Sequence, residues 1–388
     1  MAFQFSERLK ALPPYLFQEL DSLRDKVVAK GVDVIDLGVG DPDRPTPDYV
    51  IEALYKAAKD PANHKYPVYS GMDSFRKVVA NWYKKRHNVD LVPDQVCSLI
   101  GSKEGISQIH LAFINPNDVV LCPEPCYPVY ISGTGFAGAM NYFMPLLEKN
   151  SYLPDLDAIP QDTLKNAKLI WVNYPNNPTG ASAPVGFYER LIKFAEKWDL
   201  IICSDAAYSE VTSLPRPHPS ILECKGALER AVEFNSLSKP FNMTGWRIGW
   251  AAGNLTLIQG LGKIKSNVDS GIFQAVQLAA IAALEGDLAI IKEMGELYAE
   301  RRKVLTKGLD AMGLEYLKTD YTFYVWAKVP KGASSKWFSS VLLEKSGVVC
   351  TPGVGFGPSG EGYVRFALVQ EIPRLKEAAD RISTIKVS

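Results

Sequence analysis

Lys239 stands in the polar run Asn235-Ser-Leu-Ser-Lys-Pro-Phe-Asn-Met-Thr-Gly-Trp-Arg247, with Ser236 and Ser238 before it and Arg247 beyond. Apolar segments flank the run, Ala231-Val-Glu-Phe234 before it and Ile248-Gly-Trp-Ala-Ala252 after it. A lysine just past a strand, with hydroxyls and a guanidinium around it, can hold a phosphorylated aldehyde as a Schiff base. The amine condenses with the carbonyl while the serines and the arginine bind the phosphate. An ordinary solvent-exposed loop lysine explains the same stretch, so the rest of the chain has to decide between the two.

The elements that must position such a lysine repeat as strand, loop and helix between about residues 96 and 260. Strands are expected at Val96–Ile100, Val119–Cys122, Lys168–Asn173 and Leu200–Ser204, with helices over Ile106–Ile114 and Val185–Trp198. Near-continuous apolar strands such as Leu-Ile-Trp-Val are those of a sheet covered on both faces, and the alternation predicts an α/β unit with a mainly parallel sheet. In such sheets ligands lie outside the carboxyl ends of the strands. Ser102, Tyr127, Asn177, Asp205, Tyr208 and Lys239 all fall just past strand ends, so one rule collects them. Upstream, Val34–Leu37 is a short strand, and helices are expected from Thr46 to Lys59 and from Asp73 to Arg86. Downstream, a helical region runs from Leu255 to Leu309 with breaks near Asn267–Gly271 and Gly286. A strand at Phe323–Ala327, a helix at Ser335–Lys345, a Gly-rich turn, the strand Tyr363–Leu368 and an amphipathic helix complete the chain.

The bulk numbers remove several classes of function. The 388 residues call for two packed regions rather than one core. Forty-three basic residues balance 43 acidic ones, so no field of one sign attracts nucleic acid or an anionic membrane. No run approaches the apolar length of a membrane helix, and the first residues lack a secretory pattern. Six scattered cysteines without a CxxC pair are expected to be reduced, pointing to a cytoplasmic protein, and four histidines without metal-ligand spacing argue against a metal site. Gly38-Val-Gly40 after a strand is not a dinucleotide fingerprint, because Pro42, Pro45 and Pro47 prevent the helix that motif requires.

Pyridoxal phosphate needs a definite set of partners, and the collected residues match it. A carboxylate must keep the pyridine nitrogen protonated, and Asp205 at a strand end suits that role; a helix N-cap is its alternative. Asn177 and Tyr208 can donate to the ring oxygen, and Tyr127 can stack on the ring. Ser102 and Lys103, at a strand–turn–helix junction with free backbone N–H groups, join Ser236, Ser238 and Arg247 as phosphate donors; a simple N-cap by Ser102 is the alternative. An amino-acid substrate brings a carboxylate, which a guanidinium matches with two parallel hydrogen bonds. Arg365, inside the apolar strand Tyr-Val-Arg-Phe-Ala-Leu, is a costly place for a charge without such a purpose or a buried ion-pair partner.

The motifs GSKEG, NYPNNPTG, DAAYSE, SLSKPFNMTGWRIGW and YVRFAL, in this order, resemble the aspartate-aminotransferase superfamily of fold-type I pyridoxal phosphate enzymes. LPPYLF, DLGVGDPDRPTP, NHKYPVYSGMDSFR, KSNVDSGIFQAVQ and PGVGFG resemble the LL-diaminopimelate aminotransferase family in particular. The resemblance implies an α/β fold with a three-layer large domain at 46–285 and a smaller α+β domain formed by 1–45 and 286–388. It places the Schiff base on Lys239 and the pyridinium partner on Asp205, with Tyr208 beside them in catalysis. It puts the substrate α-carboxylate on Arg365, helped by the Gly40 backbone and Tyr15. Lys103, Tyr127 and Asn177 are also implied at the substrate. Tyr66, on the cofactor, and Asn267, on the substrate, match positions that reach into the neighbouring subunit's site, which implies a homodimer. The implied reaction is ping-pong transfer of an amino group between LL-2,6-diaminopimelate and 2-oxoglutarate. An aspartate, alanine or aromatic aminotransferase, a carbon–sulfur lyase, and a non-catalytic cofactor-binding module are the alternatives. Two departures stand near the site: Val211–His218 lacks an Asp-Gly turn, and Cys126 replaces a commoner glycine.

Overall fold

The computed structural model describes residues 3–10, 12 and 18–385. In chain order the strands are β1 (Ile35–Asp36), β2 (Val96–Leu99), β3 (Val119–Glu124), β4 (Met140–Pro145), β5 (Ala167–Asn173) and β6 (Ile201–Asp205). These are followed by β7 (Ala231–Ser236), β8 (Gly249–Gly253), β9 (Tyr324–Lys328), β10 (Val348–Val349), β11 (Thr351–Pro352) and β12 (Tyr363–Ala367). β2 to β8 form one seven-stranded sheet in the order β2-β8-β7-β6-β5-β3-β4. The pairs β3–β4, β3–β5, β5–β6 and β6–β7 are parallel, and only β8 runs against its neighbours β7 and β2.

Alternation along each strand covers both faces. Val120, Trp171, Cys203 and Val232 pack with Ile106, Ile109 and Leu261 on one side; Leu121, Ile170 and Ile202 pack with Leu191, Ile192 and Phe241 on the other. The helix Val185–Trp198 shows how the sequence builds such a layer. Phe187, Tyr188, Leu191, Ile192 and Ala195 make one buried stripe, Pro184 precedes the first turn, and Asp199 ends the helix in the left-handed region. The result is a helix–sheet–helix sandwich, the three-layer α/β architecture expected.

A second apolar cluster gathers Ile35 and Leu37 with Leu305 and Leu309 of the helix Ala289–Ala311, Phe323, Val364, Phe366 and Leu375. β1 pairs with β10, and β11-β12-β9 forms an antiparallel sheet beside it.

Two strand readings change. β3 continues through Pro123 to Glu124, because Pro123 pairs only with Met144 of the edge strand; pairing with β5 stops at Leu121, so no ladder needs the missing N–H. The edge strand β4, partly exposed and poor in apolar alternation, carried no clear period and was not anticipated.

Candidate active site

The strand-end residues meet at one edge of the large sheet. The chain turns outward from β3 to β4 and then returns through β5, β6 and β7, so β3 and β5 flank the switch point where such sheets open a crevice. Tyr127 follows β3, Asn177 follows β5, Asp205 ends β6, and Ser236 ends β7. Because β8 is antiparallel, its beginning lies at this same edge, and Ser236 pairs with Gly249. That places Arg247, far along the chain from Ser102, beside it.

The Ser102 turn has the shape of an anion cradle. Gly101 caps the helix Ser102–Phe113 with φ of 68° and no side-chain hydrogen bond to its first amides, so Ser102 is inside the helix and not its N-cap. A Cβ on Gly101 would overlap the Arg247 guanidinium, and one on Gly249 would meet Ser102 N and Ser236 Cα. Gly101 leaves room for the Arg247 guanidinium, and Gly249 is required because the Asn235 carbonyl and the Ser102 and Ser236 backbone close in on it. Arg247 itself is exposed, lies in the left-handed region at φ 54°, and donates to Thr244 O at 2.7 Å. Ser236 and Ser238 are buried, and Ser238 N–H donates to Ser236 Oγ. Lys103 is exposed on the first turn of the same helix.

Asp205 is buried and, among the described residues, has no cationic partner. It accepts from Tyr130 Oη at 2.7 Å and from Ala207 N–H at 3.2 Å. Burial pushes its carboxyl up to about 6, against these two hydrogen bonds, which lower it. Such a carboxylate suits a cationic ring N–H. Tyr130, not foreseen from sequence, is itself locked by stacking on Trp171 at 4.7 Å, and Trp171 Nε1 donates to His110 Nε2. Burial keeps that histidine neutral, near 4, so it can accept. Tyr127 sits edge-on to Tyr130 at 6.0 Å; burial and the nearby Asp205 charge raise its phenol to about 12, with Arg247 opposing.

Lys239 and Arg365 end on one short turn. Lys239 Nζ donates to Gly40 O at 3.0 Å, and Arg365 Nη2 donates to Gly38 O at 2.7 Å. Burial lowers the Lys239 amine to about 8; Asp41 opposes this, while the Arg365 and Arg247 charges add to it. Arg365 is 4% exposed and, among the described residues, has no carboxylate partner, so the ion-pair alternative does not apply. Its Nη1 donates to Asn177 Oδ1 at 2.8 Å, which leaves the Asn177 amide NH2 as its donor end. The Tyr208 and Tyr324 hydroxyls share a hydrogen bond of 2.8 Å, and a Cβ on Gly40 would overlap the Tyr324 hydroxyl. Tyr324 was also missed: Phe-Tyr-Val-Trp-Ala reads as a strand, and only its pairing with β12 brings the tyrosine here.

Other expected residues lie elsewhere. Tyr66 is 93% exposed, and Asn267 bonds back to Lys263 O and Ser266 Oγ on its own exposed helix turn. Tyr15 lies outside the described residues. Glu104, on the same first turn as Lys103, accepts from Ile100 N–H and pairs with the buried Lys265, which also holds Asp269. The two departures are structural. Cys126 N–H donates to Phe356 O, and His218, kept neutral by burial that lowers it to about 4, accepts from Ala183 N–H through Nε2.

A phosphate cradle, an amine of lowered basicity, and a buried carboxylate and a buried guanidinium that form no ion pair among the described residues suit a phosphorylated heteroaromatic aldehyde acting on an amino acid. Residues 32–382 match the family model for class I and II aminotransferases. The chain belongs to that family, whose members work with pyridoxal phosphate. It is 54% identical to an LL-diaminopimelate aminotransferase of Aquifex aeolicus, over 99% of this chain and 100% of that one. It is 55% identical to an LL-diaminopimelate aminotransferase of Syntrophobacter fumaroxidans, over 98% and 99% of the two chains. A solved aspartate aminotransferase mutant from Thermus thermophilus superposes with a TM-score of 0.92 at 27% identity, covering 98% of this chain and 99% of that one.

Proposed function

We propose that this chain transfers an amino group between LL-2,6-diaminopimelate and 2-oxoglutarate, in the direction that makes diaminopimelate for lysine synthesis. The observation that carries the site reading is the convergence of Lys239 and Arg365 on the Gly38–Gly40 turn. It brings an amine and a guanidinium able to bind a carboxylate to one short stretch of backbone, the two groups that an α-amino acid presents partners for. The substrate choice rests on the relatives named LL-diaminopimelate aminotransferase, matched over nearly the whole chain.

When bound, pyridoxal phosphate supplies an electron sink conjugated to the substrate's α-carbon. Lys239 Nζ would hold the aldehyde and carry the α-proton; burial lowers the free amine to about 8, which favours its neutral, nucleophilic form close to neutral pH. Asp205 holds the proton on the ring nitrogen. Ser102, Lys103, Ser236, Ser238 and Arg247 bind the phosphate, Tyr127 stacks on the ring, and Asn177 and Tyr208 donate to the ring oxygen. Arg365 takes the α-carboxylate through parallel hydrogen bonds, with the Gly40 backbone beside it.

The same reading includes a homodimer. Tyr66, Val68, Tyr69, Val268 and Phe273 are exposed, and the two segments that carry them touch, His64 lying edge-on to Phe273 at 5.8 Å. An exposed apolar patch of this kind suits a second copy, into whose site Tyr66 and Asn267 would reach. We further propose the division into 46–285 and a unit of 1–45 with 286–388, which the second apolar cluster supports, and a cytoplasmic location, which six free cysteines support.

The test is amino transfer by the cofactor-loaded protein from single amino acids to 2-oxoglutarate, read as glutamate formed. LL-diaminopimelate is expected to react at least tenfold faster than aspartate, alanine or phenylalanine. Reaction with aspartate and none with diaminopimelate would replace the substrate, and release of pyruvate or ammonia would indicate a lyase.

A further inference from the structure

We infer that Tyr324 and Phe356 are positioning residues for Arg365, gripping its guanidinium between two aromatic faces in place of a counter-carboxylate. The guanidinium carbon lies 4.3 Å from the Tyr324 ring centroid and 4.7 Å from that of Phe356. This inference rests on the reading of Arg365 as the carboxylate-binding residue.

The two rings arrive by different routes. In the β9–β12 pair, Arg365 stands opposite Trp326, so Tyr324, two residues along β9, is its diagonal neighbour on the same face. The Tyr324 hydroxyl is held by Tyr208 at 2.8 Å. Phe356 comes from the turn Gly353–Phe356, which the end of β3 holds in place. Phe356 O accepts from Cys126 N–H, and the buried Glu124 carboxylate accepts from Ser359 N–H at 3.0 Å and Ser359 Oγ at 2.5 Å. Gly357, at φ 118°, lets the turn pass over Glu124, where a Cβ would collide with that carboxylate. Phe356 is thus anchored to the large sheet and Tyr324 to the antiparallel one.

The physics favours rings over a carboxylate here. A buried guanidinium must be stabilised, yet an acidic partner would compete with the substrate's own carboxylate for the same N–H groups. Aromatic faces attract the cation through their quadrupoles and leave the N–H edge free. Of the guanidinium's five donors, one goes to Asn177 Oδ1 and one to Gly38 O, and Nε has no partner among the described residues. The remaining donors lie in the plane that the rings hold, so little rotational freedom is lost when a carboxylate docks.

The test is equilibrium binding of glutarate, an unreactive dicarboxylate, to the cofactor-loaded protein by calorimetry, with pyridoxal phosphate affinity measured alongside. Phe356→Leu and Tyr324→Leu are each expected to weaken glutarate by about tenfold while leaving cofactor affinity within about twofold. Tyr324→Phe, which keeps the ring, should bind glutarate within about twofold of the parent. Should a leucine variant fold poorly, Glu124→Gln perturbs only the turn that carries Phe356 and should weaken glutarate by about threefold. Leucine variants that bind glutarate like the parent, or that lose glutarate and cofactor in equal measure, would overturn the inference. Arg365→Lys binding glutarate like the parent would instead overturn the reading of Arg365 itself.

Discussion

Arg301 and Arg365 are both buried guanidiniums, and the chain satisfies them in opposite ways. Arg301, 0% exposed, makes two 2.6 Å hydrogen bonds to the Asp43 carboxylate and a third to Leu368 O. Burial alone would raise Asp43, but the bonds from Arg301 outweigh it and hold the carboxyl below its ordinary range. Arg365, 4% exposed, receives an amide oxygen, a carbonyl and two aromatic rings, but no carboxylate. Arg301 is a completed cross-link that ties the Asp43 loop to the helix Ala289–Ala311 and to the end of β12. Arg365 is stabilised without being neutralised. In this pair the cation with its counter-ion ties elements together, and the one held by neutral groups is the one read as receiving a ligand's charge.

The largest expected difference comes from replacing each with methionine. Arg365→Met should lower kcat/KM for the amino-acid substrate by about 100- to 1,000-fold, since a buried charge-assisted pair to the substrate is lost. Its urea midpoint should stay at or above that of the parent, because an unpaired buried charge is removed. A fall in stability with little change in kcat/KM would break the comparison from that side. Arg301→Met should do the reverse and cost about 3 kcal/mol in urea unfolding, since Asp43 is left unpaired, with kcat/KM changed only a few-fold. Because Asp43 is depressed in the folded protein, this contribution is present above the ordinary carboxylate pKa and is lost as the pH falls through the folded value. The stability gap between parent and Arg301→Met should therefore narrow below about pH 4.

The smallest effect is electrostatic. Burial chiefly lowers Lys239, with Arg365 and Arg247 adding to it, and Arg301 is not among the causes. The neutral amine is the nucleophile, so condensation of the cofactor-free protein with a carbonyl reagent should rise with pH through about 8 and then level. Arg365→Met should move that midpoint upward by a fraction of a pH unit, and Arg301→Met should leave it in place. Equal shifts would show that the effect is general rather than specific to the site.

The sequence made some of this legible. Strand-end positions alone collected Ser102, Tyr127, Asn177, Asp205 and Lys239, and the sheet brings all of them to one edge. Arg247, legible in the Lys239 motif as a phosphate donor, comes beside Ser102 through the reversal of β8, which its apolar run does not disclose. Tyr130 gave no signal, since a tyrosine in an apolar helix reads as core; its hydroxyl reaches Asp205 because Trp171 stacks beneath it. Glu104 is held by Ile100 N–H and Lys265, a pairing that the motif GSKEG does not disclose.

By itself, then, the sequence determined the alternation of elements and which residue types stand just past the strands. Those are properties of local periodicity and turn chemistry, set within a few residues of each position. Only the tertiary structure decided which charges found partners. Asp43 reaches Arg301, and Gly38 reaches Arg365, across separations of 258 and 327 residues. No local pattern encodes whether a buried guanidinium meets a carboxylate or two rings, because that depends on how distant strands register and which side chains the register lays face to face.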